Sequence, residues 1–148
     1  MNDIELTYRK IEDTYLDITK SYLSIDERNI EKALLQHTGV YAFFGAVLAF
    51  AKREVDLASN SWEQEEARVR EGRRAELLDE GKKATDRALD AYVKTVSTVM
   101  EKEAVKTEAA HKYHLSKNIM NSLDHQKDML VQISANKRAE IKLVGDIG

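Results

Sequence analysis

The stretch VYAFFGAVLAFA, residues 40–51, carries no charge and runs without a proline into residues 52–90, where nine cations and eleven anions crowd one segment. Both parts read as helix, because nothing in either interrupts an i, i+3, i+4 pattern. The first is too apolar to leave in water and the second too polar to bury. One rod therefore carries a packing surface at one end and a solvated surface at the other. The apolar run is shorter than the roughly 20 residues that span a bilayer, so a buried helix segment is expected and a membrane role is not.

Composition extends the helical reading to the whole chain. The 148 residues include no proline and only six glycines, and strand signals are nearly absent. An all-α fold is expected: an elongated hairpin or bundle of about four helices, two of them long, in a single domain over residues 1–148. A long thin hairpin has little interior of its own, so self-association is expected to cover its remaining apolar stripes. The absence of cysteine and of an apolar leader in MNDIELTYRK point to a cytoplasmic location.

Along the chain, Ile4, Tyr8, Ile11, Tyr15, Ile18 and Tyr22 predict an amphipathic helix over residues 1–23. Asp26 or Asn29 then caps a long helix over residues 29–80, ended by Gly81. The cluster Ser59, Asn60, Ser61, with Gln64, resembles a capping box, so that helix is expected either to run through or to bend near residue 60. Thr85 caps a short helix over residues 84–97 that buries Leu89, Tyr92, Val93, Val96 and Met100. A last long helix over residues 100–143 is striped by Ala104, His111, Leu115, Ile119, Leu123, Met129, Leu130 and Ile133, and residues 145–148 are expected to fray.

Three clusters carry the functional questions. In the apolar run, small residues (Gly39, Ala42, Gly45, Ala46, Ala49) alternate with Tyr41, Phe43, Phe44, Leu48 and Phe50. Those bulky residues serve either as intrachain core or as an oligomer interface. Next, Arg68, Arg70, Arg73, Arg74, Lys82, Lys83 and Arg87 gather seven cations in twenty residues. They form either a phosphate strip or, with Glu66, Glu71, Glu76 and their neighbours, a solvated helix laced with ion pairs. Of the aromatics nearby, Tyr92 reads as core, while Trp62 can be core or a stacking surface for an unpaired base. Finally, His111, His114 and His125 share the last helix, and Glu108 with His111 makes a Glu-x-x-His step. A di-iron bundle needs a second such step and two more glutamates, so no metal and no cofactor is expected. No phosphate loop, nucleophile elbow or catalytic carboxylate pair is present, and no enzyme activity is expected.

The layout over residues 30–141 resembles the UvsY-like recombination mediator proteins of tailed phages. The resemblance lies in a long helix turning from apolar to charged across residues 43–78, then Gly81-Lys82-Lys83-Ala84-Thr85 leading a helix with Leu89 and Val93, and a basic close across residues 123–142. The family's short basic element falls on Arg68-Val69-Arg70. The resemblance implies a non-enzymatic homo-oligomeric ring that binds single-stranded DNA, helps displace single-strand-binding protein and promotes loading of the phage recombinase. Arg68 and Arg70, supported by Arg73, Arg74, Lys82 and Lys83, would hold phosphates in the host cytoplasm. The alternative is a helical interaction factor (an assembly factor, scaffold or inhibitor) that acts through protein surfaces without DNA.

Overall fold

The computed structural model describes residues 1–147, all-α with no strand among them. Its helices are α1 (Asp3–Arg9), α2 (Ile11–Tyr22), α3 (Ile30–Asp79), α4 (Asp86–Val93) and α5 (Ser97–Ile147). Two of them are long, with 50 residues in α3 and 51 in α5.

The single opening helix expected over residues 1–23 is instead broken at Lys10. There ψ reaches 5°, and the Lys10 carbonyl accepts bonds from the Asp13 and Thr14 amides and from the Thr14 hydroxyl. Tyr8 and Ile11, on either side of this corner, are both buried.

α3 continues unbroken through Ser59, Asn60 and Ser61, so the helix is not split there. Serine and asparagine cost a helix only about 0.5 kcal/mol each, and Trp62 and Val69 just beyond them are packed into a core. The helix starts where Asn29 accepts from the Lys32 amide, while Asp26 holds the Arg28 amide. It stops at Gly81, at φ 69°, where the Gly81 amide bonds Leu78 and the Lys82 amide bonds Leu77. This paired closure needs a left-handed residue at the glycine position.

Thr85 caps α4 by accepting from the Ala88 amide, as its position suggested. α4 is shorter than expected, because Thr95 bonds the Tyr92 carbonyl through both its amide and its hydroxyl and turns the chain. That turn resets the helical phase. Val99 is buried where Met100 was expected, and Met100 stays 55% exposed. α5 continues past residue 143 to Ile147; of the tail expected to fray, Gly148 lies outside the described residues.

The chain packs as two compact units. One comprises Met1–Phe50 and α5 from His114 onward; the other is Ala51–Tyr113. In the first, Ile11, Val47, Ile119 and Leu123 are fully buried. Tyr8 meets Phe50 edge-on at 5.1 Å, and Tyr22 meets Phe44 at 5.6 Å. α3 and α5 run antiparallel there, with the His37 ring bonded to the Leu123 carbonyl at 2.8 Å and Gly45 facing Met120. A carbonyl only accepts, so the proton sits on His37 Nε2. In the second unit, Val69, Val93 and Val99 form a core cluster, with Trp62 and Val96 against it, and Leu89 is fully buried.

Candidate nucleic-acid interface

The apolar run divides by face. Phe44 and Val47, three residues apart, are buried within the first unit, so Phe44 is core. Phe43, Leu48 and Phe50 are half-buried, and Phe50 is engaged by Tyr8. Tyr41 is 37% exposed and its hydroxyl donates to Asp124, which raises the phenol's pKa. Leu35, Ala42 and Ala49, at steps of seven, are exposed together on the opposite side. The small residues do not serve close approach inside the chain: a Cβ on Gly45 would meet Met120 only at 3.8 Å, and one on Gly39 would meet nothing within 4 Å. One 18-residue window of α3 reaches a mean hydropathy of 1.4, apolar enough to cross a membrane by length and composition, yet only 17% of it is buried.

The arginines lie in the second unit and do not form one strip. Arg68 donates to both oxygens of Glu65, at 2.6 and 3.1 Å, and Glu65 also accepts from the Thr98 hydroxyl at 2.7 Å. Those donors, the Arg68 guanidinium first, hold the Glu65 carboxyl down at about 2. Arg70 takes a different side, where it is bonded to Asp90 of α4. Its guanidinium pKa is raised, chiefly by that bond. The geometry follows from helix rotation, since two residues at 100° each separate Arg68 from Arg70 by more than half a turn.

Arg73 sits with Arg70 on the α4 side. It reaches Glu76 at 3.1 Å and lies over the Tyr92 ring at 4.8 Å. Arg74 pairs with Glu71 at 2.9 Å. Beyond the helix end, Lys82 pairs with Glu80 at 2.9 Å, which lowers the Glu80 carboxyl pKa, while Lys83 is exposed and makes no ion pair among the described residues. Arg68, Arg70, Arg73, Arg74 and Lys82 are thus ion-paired but not buried, and surface pairs of this kind contribute little to stability.

Of the two aromatics, Trp62 takes the core option left open for it, while Tyr92 departs from its expected place. Trp62 is half-buried against the valine cluster, its indole N–H is buried without an acceptor, and the Lys106 ammonium lies 3.6 Å over its ring. Tyr92, expected in the core, is 36% exposed. Leu89 and Val93 fill the inward face of the eight-residue α4, leaving its neighbour Tyr92 at the margin.

The histidines make no metal constellation: no group of three or more His, Asp or Glu able to hold an ion occurs among the described residues. A polar cavity of about 280 Å³ in the first unit, lined by Ser24, Asp26, Asn29, Lys32, His37 and Gln126, had no signal in the sequence. Its walls come from the α2–α3 junction and the start of α3, with Gln126 of α5 the one distant contributor. Compared with known proteins, the chain matches no family model, no curated protein and no solved structure.

Proposed function

We propose that this chain is a non-enzymatic recombination mediator: a homo-oligomer that binds single-stranded DNA and promotes recombinase loading over single-strand-binding protein in the host cytoplasm. The family resemblance supplies the biological role. The observation that carries the DNA contact is the grouping of Arg70 and Arg73 with exposed Tyr92 on the α4 side of the second unit. Each arginine is held by a surface carboxylate. A phosphate can take the carboxylate's place at small cost, and release of the strand's condensed counterions then favours binding. Arg74, Lys82 and Lys83 add charge along the same segment, and Arg68 serves a separate contact on the Glu65 side.

One subunit's patch is weak, since seven cations between residues 65 and 90 stand among eight carboxylates. Repetition turns weak sites into strong ones through effective concentration. The uncovered face of Leu35, Ala42 and Ala49, flanked by Tyr41, supports the required self-association, because burial of such a surface is favourable at about 25 cal/mol per Å².

The test is titration of an unstructured oligonucleotide with wild type, with the Arg70→Ala, Arg73→Ala double variant and with Arg68→Ala. The double variant is expected to lower both the affinity and the salt slope, and Arg68→Ala to lower them less. Equal binding by all three would remove these residues from the site.

The second reading, a helical protein-interaction factor, is favoured by one specific observation: Arg68, Arg70, Arg73, Arg74 and Lys82 each already have a carboxylate partner. It predicts no DNA binding at physiological salt.

A further inference from the structure

We infer that Tyr92 is a base-stacking platform, selecting unpaired nucleotides over duplex. This rests on the DNA-binding reading above and extends it from phosphates to bases. Three features set Tyr92 apart from an ordinary surface tyrosine.

The first is fixation. Leu89 and Val93, three residues before it and one after, are almost wholly buried, and the Tyr92 carbonyl is held by the Thr95 amide at 2.9 Å and the Thr95 hydroxyl at 2.7 Å. A side chain carried on backbone fixed in this way has less freedom to lose when a base lands on it.

The second is electrostatic setting. The Arg73 guanidinium lies 4.8 Å from the ring centroid, and Arg70 is bonded to Asp90 two residues before the tyrosine. Cations therefore stand within reach of the phosphates that flank a base stacked on the ring. Arg73 occupies the ring as a planar cation, and its hold on Glu76 is a surface pair. When a strand arrives, the guanidinium transfers to a phosphate and the base takes its stacking position.

The third is contrast with the other aromatics of the unit. Trp62 is packed into the valine cluster under Lys106, and Tyr113 is half-buried with Lys52 at 6.0 Å from its ring. Tyr92 is the aromatic most open to solvent among the described residues of this unit. In a duplex each base already stacks on its neighbours, so such a ring discriminates for single strands without reading sequence.

The experiment compares wild type with Tyr92→Phe, Tyr92→Leu and Tyr92→Ala by fluorescence anisotropy on an oligo(dT) probe and on a duplex of equal length, across a salt series. Circular dichroism and thermal melts accompany each variant. Tyr92→Phe is expected to bind oligo(dT) as wild type does. Tyr92→Leu and Tyr92→Ala are each expected to lose about tenfold, the scale of one stacked base, with the salt slope unchanged. Duplex binding is expected to be the same in all four proteins. Tyr92→Leu keeps apolar contact at the margin of the core, so it decides the matter even if the alanine variant folds poorly. Leucine binding as tightly as tyrosine would overturn the platform while leaving DNA binding intact, as would loss confined to the salt slope. Failure of wild type to bind oligo(dT) at low salt would overturn the DNA-binding reading, and the platform with it.

Discussion

The two ends of α3 are stabilised by opposite means. Up to Phe50 the helix buries Phe44 and Val47 against aromatic and aliphatic partners, and it leaves a second apolar face uncovered. From Ala51 onward it buries single residues such as Val69 and Leu77, and it satisfies its charges locally through pairs three residues apart or with α4. The first end is locally stable and chemically incomplete, because apolar surface remains in water. The charged end also leaves Leu57 and Leu78 exposed, but its arginines are paired at the surface with carboxylates that are easily exchanged. Under the proposed function, assembly would fall to the first end and exchangeable binding to the second.

Substitutions can break this contrast in order of expected effect. Phe44→Asp places an unpaired charge in the first unit's core and is expected to abolish its cooperative melt by circular dichroism. Leu89→Ala in the second unit is expected to cost about 2–5 kcal/mol in denaturant unfolding, since Leu89 is fully buried. A loss well below 1 kcal/mol would show that the charged end does not depend on its small core.

A smaller effect concerns Glu65, whose carboxyl is held at about 2 against an ordinary value of 4.5. Because the folded pKa lies below the unfolded one, its contribution is full above pH 4.5 and disappears as pH falls toward 2. Glu65→Gln is therefore expected to flatten the acid dependence of stability in that window, and an unchanged acid profile would remove the Arg68–Glu65–Thr98 cluster as its source. The smallest effect on the subunit itself is Leu35→Lys, where stability changes by no more than about 0.5 kcal/mol. Light scattering is nonetheless expected to show a loss of mass, because the uncovered face now carries a charge; unchanged mass would free this face of any role in assembly.

Helix boundaries set by caps were legible in the sequence. Asn29, Gly81 and Thr85 act as their side chains or backbone freedom require, because these are local effects of a few residues. The two long helices were legible for the same reason, through the absence of proline and a sustained period. Phase was legible only in part. The stripe through Tyr8, Ile11 and Ile18 is buried as expected even across the corner at Lys10, but the turn through Thr95 resets the register so that Val99 is buried in place of Met100, and Tyr92 falls at the margin beside the buried Val93. The arginine cluster was visible as composition, but its division between a Glu65 side and an α4 side depends on where Thr98 and Asp90 arrive from elsewhere in the chain. The Trp62 environment was hidden likewise, because Lys106 lies 44 positions away.

The central claim is that the charged end of α3 exchanges its carboxylate partners for the phosphates of a single strand. The direct measurement is the affinity of the full chain for an oligo(dT) probe across a salt series. Binding is expected at low salt, with log K falling linearly in log salt and a shallower slope for the Arg70→Ala, Arg73→Ala variant. Absence of binding at low salt, or a slope identical in both proteins, would contradict it.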